Sequence, residues 1–222
     1  MKPRETIERI GEVGIVPVIR AANPEEAVRL VEAVQAGGIS IVEITMTVPD
    51  AVRVLREVAA AHRNLLVGAG TVLTAKDAEE CIAAGARFLV SPGLSRGVLE
   101  TAGRHQVLAI PGALTPTEVM AALELGADTI KIFPCSSGGG ASHIKSLRAP
   151  FPKCRFIPTG GVSLKNAEEY LAAGAFALGI GAELADLAAL RRQEHHKITD
   201  VARLLAAAVQ KHKAHSESVR GS

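Results

Sequence analysis

The chain predicts an α/β protein, a closed (β/α)8 barrel, on three observations. Its 222 residues suit one undivided domain, because such barrels commonly run to roughly 200–250 residues. Short apolar, β-branched runs alternate strictly with longer helical patterns. Four glycine turns, Ala36-Gly37-Gly38-Ile39, Ala84-Gly85-Ala86-Arg87, Leu125-Gly126-Ala127-Asp128 and Ala173-Gly174-Ala175-Phe176, each close a helical pattern and open an apolar run. They recur at intervals of roughly 41 to 48 residues, about twice a compact βα unit, so the chain holds eight units. Eight such units favour a TIM barrel over an open sheet, with residues 1–222 forming a single domain.

Residues 15–20, 39–45, 65–69, 87–91, 107–110, 128–133, 155–158 and 176–180 are the expected strands. Helix starts fall between them at Asn23-Pro24-Glu25-Glu26, Thr47-Val48-Pro49-Asp50, Thr74-Ala75-Lys76-Asp77, Ser95-Arg96-Gly97-Val98, Thr115-Pro116-Thr117-Glu118 and Ser163-Leu164-Lys165-Asn166. Several join an N-cap residue to proline or an acid in the first turn. Apolar and charged residues alternate over 198–209 as a closing amphipathic helix, and 215–222 reads as a frayed tail.

Composition excludes several classes of function. Aromatic residues make up only 3% of the chain, too few for base-stacking recognition of nucleic acid. The net charge of +2 arises in the tail: 191–222 carries seven Lys or Arg against three Asp or Glu, which leaves the body slightly acidic and without a basic stripe. No run approaches the roughly 18 apolar residues of a membrane span, and no signal-peptide core is visible. Cys81, Cys135 and Cys154 form no C-x-x-C pair and suit a reduced, cytoplasmic protein. No metal site is indicated: His195 and His196 lack identifiable further ligands, and His62 and His105 read as partners of helix C-termini.

A barrel puts function at the C-terminal ends of its strands, where the unusual residues collect. The foremost is Lys131, in the otherwise apolar run Asp128-Thr129-Ile130-Lys131-Ile132-Phe133-Pro134. Strand alternation sets Thr129, Lys131 and Phe133 on one face and the two isoleucines on the other, so Lys131 points into the barrel. An amine in an apolar pocket loses its proton more readily and can form a Schiff base with a carbonyl substrate. Glu43, in Ile41-Val42-Glu43-Ile44-Thr45, is the second ionisable residue in a buried-strand pattern and could shuttle the protons. The bland alternative for both is a salt bridge that only closes the barrel.

Arg20 at the end of the first strand offers a planar donor fork for a carboxylate, or else a rim salt bridge. Gly160-Gly161 and Gly179-Ile180-Gly181 present bare N–H groups, placed at helix N-termini in this reading, that suit an anion; tight turns are the other use of such glycines. Cys135 reads as a small apolar loop residue, and the segment 135–140 as a mobile loop over the site.

These pieces, in order, resemble the 2-keto-3-deoxy-6-phosphogluconate aldolase family, which includes the 4-hydroxy-2-oxoglutarate aldolases. The match runs through Val16-Pro17-Val18-Ile19-Arg20, Ala36-Gly37-Gly38, Val42-Glu43-Ile44-Thr45, Gly68-Ala69-Gly70-Thr71-Val72, Ser91-Pro92-Gly93, Ile110-Pro111-Gly112, Lys131-Ile132-Phe133-Pro134 and Pro158-Thr159-Gly160-Gly161-Val162. The resemblance implies that Lys131 forms the Schiff base with pyruvate and that Glu43 is the general acid/base. It implies that Arg20 and Thr71 hold the keto acid, with Pro92, Phe133 and Thr159 shaping the pocket. Gly160, Gly161, Gly179, Gly181 and Ala182 would lie at the phosphate end. It also implies no cofactor, a keto-acid or sugar-acid phosphate substrate, and a homotrimer.

This chain departs from the family pattern at Thr47, where some relatives carry arginine, and at Ala182, where others carry serine. Rival readings are an aldolase for the phosphogalactonate epimer, another phosphate-binding barrel such as a pentose-phosphate epimerase or thiamin-phosphate synthase, and a sugar-phosphate sensor without turnover.

Overall fold

In the computed structural model the chain is described from residue 1 to residue 220, with the side chains of Glu217, Val219 and Arg220 left aside. Its elements are α1 (Pro3–Val13), β1 (Ile15–Ile19), α2 (Pro24–Ala36), β2 (Ile41–Thr45), α3 (Ala51–Ala61), β3 (Leu66–Gly70), α4 (Ala75–Ala83), β4 (Phe88–Val90), α5 (Arg96–Arg104) and β5 (Leu108–Ile110). There follow β6 (Gly112–Ala113), α6 (Pro116–Glu124), β7 (Thr129–Ile132), α7 (Gly140–Arg148), β8 (Arg155–Pro158), α8 (Ala167–Ala172), β9 (Leu178–Ile180), α9 (Leu187–Arg191) and α10 (His195–Arg220).

Every strand pair is parallel, in the orders β5-β4-β3-β2-β1-β9 and β6-β7-β8. Two joints close these arcs into a barrel. A bridge between Thr159 and Gly179 carries β8 onto β9. At the other joint, β5 and β6 are one strand interrupted at Pro111, which has no N–H to give a ladder. Its carbonyl still accepts from the Lys131 N–H at 2.9 Å, so β5 pairs back to β4 while β6 pairs forward to β7. The eight expected strands thus form the ring, one of them in two pieces.

Side-chain alternation divides the core into two layers. Val42, Ile44, Ile130 and Ile132 pack outward against the helices. Val16, Ile41, Leu66, Phe88, Ile110 and Ile157 fill the barrel. Helix starts follow the sequence where a cap exists: Asn23, Thr74 and Thr115 accept from the N–H of Glu26, Asp77 and Glu118. Ser95 instead donates its hydroxyl to the Leu73 carbonyl at 3.0 Å. Thr47 is also turned from capping, because its hydroxyl lies 2.7 Å from that of Thr45, and α3 starts later, at Ala51.

Two terminal elements differ from the sequence expectation. Helix α1 places the fully buried Ile10 among the barrel-filling side chains, so the N-terminal mouth is stoppered. Helix α10 continues through His215 to Arg220, past the point where a frayed tail was expected; residues 221–222 lie outside the described residues. What holds α10 is packing: Ala202 seats against Gly37, where a side chain would collide, and the Lys213 ammonium donates to the Gly11 and Glu12 carbonyls at 2.6 Å. A cation there offsets the negative end of α1. No helix among the described residues is long and apolar enough to cross a membrane.

Candidate active site

The inward faces of β2 and β7 bring Glu43 and Lys131 together inside the barrel. Lys131 Nζ stands 3.9 Å from Glu43 Oε1, with the two side chains 5% and 4% exposed. That separation is beyond a hydrogen bond, and Glu43 Oε1 is buried without a hydrogen-bond partner among the described residues. The small space around them is walled by Val16, Val90, Ile110, Ile157, Thr159 and Gly179. Burial pushes the Glu43 carboxyl above the usual carboxylate range, while the charges of Lys131 and Arg20 pull it back. The ammonium also lies over the Phe133 ring, 5.1 Å from its centroid.

Glycines make this packing possible. A Cβ on Gly70 would overlap the Glu43 carboxylate, coming within 2.6 Å of its Cδ. A Cβ on Gly179 would collide with the Thr159 hydroxyl. Gly70 was read in the sequence only as part of a Gly-Ala-Gly run; its service to Glu43 depends on the register of β2 against β3, which pairs Thr45 with Gly70. Gly179, taken from the sequence as an anion-loop residue, lies within β9 and inside the barrel.

The remaining expected residues surround the mouth. Arg20 is exposed just past β1 and makes no ion pair or hydrogen bond among the described residues, though its charge reaches Glu43. Thr71 follows β3 at a φ of 57°, an outlier for a β-branched residue. Such strain costs about 1–3 kcal/mol and collects at functional sites. Pro92 is half-buried, and its carbonyl packs where a side chain on Gly112 would stand. Thr159 is buried, and its carbonyl accepts from the Cys135 N–H at 2.9 Å.

At the distal end, Gly160 and Gly161 adopt φ values of 88° and 79°, conformations that favour glycine. Helix α8 begins at Ala167, and its N-cap residue Asn166 donates its side-chain amide to the Gly161 carbonyl at 2.9 Å. After Gly181 the exposed Ala182 opens a turn, and α9 starts at Leu187. The loop N–H groups of Gly161 and Ala182 meet no acceptor among the described residues. Glu183, which the sequence did not single out, accepts from the Leu164 N–H at 2.7 Å and ties the two loops together.

The loop at 135–140 is a chain of tight turns stapled to the site, with the Ser136 N–H on the Gly160 carbonyl at 3.0 Å and the Gly140 N–H on the Cys135 carbonyl at 2.9 Å. Cys135 is buried and its thiol is pushed up to about 11 by burial, which suits a packing residue rather than a nucleophile.

A closed parallel barrel with one buried lysine facing one buried carboxyl defines a lysine-dependent carbonyl enzyme of the lyase kind. The chain belongs to the KDPG and KHG aldolase family, whose model matches residues 6–201. It is 38% identical to the 2-dehydro-3-deoxy-phosphogluconate aldolase of Dickeya dadantii over 189 residues, 85% of this chain and 89% of that protein. It is 36% identical to the KHG/KDPG aldolase of Escherichia coli K12 over the same shares of each. Among solved structures, the KDPG aldolase of Legionella pneumophila, with pyruvate captured at low pH as a covalent carbinolamine, superposes with a TM-score of 0.84 at 33% identity. That match covers 90% of this chain and 97% of the other. The KDPG aldolase of Zymomonas mobilis ZM4 with 3-phosphoglycerate gives 0.80 at 31% identity, covering 92% and 96%.

Proposed function

We propose that this protein is a class I aldolase that reversibly cleaves 2-keto-3-deoxy-6-phosphogluconate, 4-hydroxy-2-oxoglutarate, or both, to pyruvate and an aldehyde. The observation that carries this reading is the Lys131–Glu43 pair, 3.9 Å apart and buried among apolar side chains inside the barrel. Lys131 attacks the C2 carbonyl to give a carbinolamine, and loss of water leaves an iminium. Glu43 takes the proton of the C4 hydroxyl. As the C3–C4 bond breaks, its electron pair flows into the iminium to form an enamine, and the C4 fragment leaves as the aldehyde. Protonation at C3 and hydrolysis of the resulting iminium then free pyruvate and Lys131. The iminium is the electron sink, so the sequence of steps needs no metal or cofactor.

Arg20 and Thr71 stand at the mouth where the C1 carboxylate would lie, and Arg20 has a free guanidinium fork to hold it. Pro92, Phe133 and Thr159 would pack along the keto acid. The N–H groups of Gly161 and Ala182 favour a distal anion, the phosphate of one substrate or the second carboxylate of the other. The phosphoglycerate in the Zymomonas relative supports the phosphorylated choice. Family resemblance supports a cytoplasmic homotrimer, and Met120 and Leu123, exposed one turn apart on α6, are apolar surface that a second copy could cover.

Borohydride reduction in the presence of pyruvate tests the reading. A stable pyruvyl adduct on the peptide carrying Lys131 is expected, and its absence overturns the aldolase assignment. Turnover of the two substrates, compared side by side, then assigns the distal anion, and sedimentation velocity measures the oligomer.

A further inference from the structure

Glu26 sits in the first turn of α2 with its side chain 11% exposed, and it reaches in two directions. Its Oε2 accepts from the Ala22 N–H at 3.2 Å, which holds the short loop that carries Arg20 out of β1. Its carboxylate also takes a fork from Arg191, Nε to Oε1 at 2.8 Å and a terminal NH2 to Oε2 at 3.4 Å. Arg191 ends α9, the helix that follows the Gly181–Ala182 turn, and α9 is itself capped by Asp186, which accepts from the Ala189 N–H at 2.9 Å. One carboxylate thus joins the loop after β1 to the helix after β9, two neighbours across the β1–β9 pair. The same contact holds the Glu26 carboxyl below its ordinary value, the Arg191 hydrogen bond being the largest cause.

We infer that Glu26 and Arg191 are positioning residues that hold Arg20 in place at the carboxylate end of the substrate site by anchoring its loop to α9. Neither touches the reacting atoms: the Glu26 carboxylate is taken up by the Ala22 N–H and the Arg191 guanidinium. Their effect is on where Arg20 stands before substrate arrives, and a forked, partly buried ion pair restricts that geometry in a way a single hydrogen bond does not. Binding should therefore suffer when the pair is broken, and the Lys131 chemistry should not.

This inference rests on the aldolase reading, and the test separates the two. Trapping by borohydride is followed against pyruvate concentration for the wild type, Arg191→Ala, Glu26→Gln and Arg191→Lys, with thermal unfolding measured in parallel. The expected result is a half-saturating pyruvate concentration raised about three- to fivefold in Arg191→Ala and Glu26→Gln, the size of one partly exposed ion pair. The maximal trapping rate stays unchanged, and Arg191→Lys recovers part of the loss. An unchanged half-saturating concentration overturns the positioning role while leaving the aldolase standing. A parallel fall in the maximal rate and the unfolding temperature assigns the pair to stability alone and also overturns it. No adduct in the wild type removes both readings together.

Discussion

Glu43 and Gly70 sit on adjacent strands so that the carboxyl of the first fills the space a side chain on the second would need. Gly70→Ala is therefore expected to act on catalysis more than on folding. The colliding atoms are the far end of a side chain, which can swing away, whereas the backbone of Gly70 needs no special conformation. Displacing the proton carrier should slow cleavage by roughly 10²-fold, within the usual range for a general base, for a stability cost of about 1–3 kcal/mol from overpacking. Steady-state kinetics beside urea unfolding checks it; unchanged kcat would separate Gly70 from Glu43.

Glu43→Gln is expected to lower kcat by roughly 10²–10⁴-fold while the pyruvyl adduct still forms slowly. The pH profile carries the sharper signature. Only the ionised carboxylate can take the C4 proton, and burial raises its pKa above the ordinary 4.5. Activity in the wild type should therefore fall as pH drops through that raised value, and the acidic limb should vanish in Glu43→Gln.

Lys131→Met should abolish the adduct and should make stability depend on pH in a defined sense. Removing the ammonium takes away the largest influence that lowers the Glu43 pKa. The folded-state value then lies further above the unfolded one, so the stability contribution is present below the unfolded pKa and lost as pH rises through the folded pKa. Urea midpoints for this variant relative to the wild type should be closer at about pH 5 than at about pH 8.

Thr71→Gly is expected to separate stability from binding. Relief of a left-handed β-branched residue recovers about 1–2 kcal/mol, and the added freedom of the unfolded chain takes back about 0.5–1 kcal/mol. Stability should stay level or rise slightly. Loss of the hydroxyl should raise KM about tenfold if Thr71 binds the substrate carboxylate. A KM equal to that of the wild type would remove Thr71 from the site.

Lys131 and Glu43 were legible in the sequence because an ion inside a β-branched run is visible without any partner, and alternation along a strand is local geometry. For the same reason Ile130 and Ile132 could be assigned to the outer layer. The helix starts at Asn23, Thr74 and Thr115 were legible because a cap and its acceptor lie within one turn. Gly160 and Gly161 were visible as a glycine pair, but the loop they open is shaped by Asn166, which bonds back to Ser163 and Gly161, and by Glu183, which reaches Leu164 from the turn after β9, a contact no local pattern shows.

Sequence alone thus determined the barrel, from the recurrence of its βα units, and which two ionisable side chains point inward, from the two-residue period of a strand. Tertiary structure decided how those side chains meet. The 3.9 Å separation, the vacancy that Gly70 leaves for Glu43, the closure through Pro111 and the Thr159–Gly179 bridge, and the stopper supplied by α1 all join residues far apart in the chain. Such contacts depend on register and curvature summed around the ring, and no local pattern of residues records that sum.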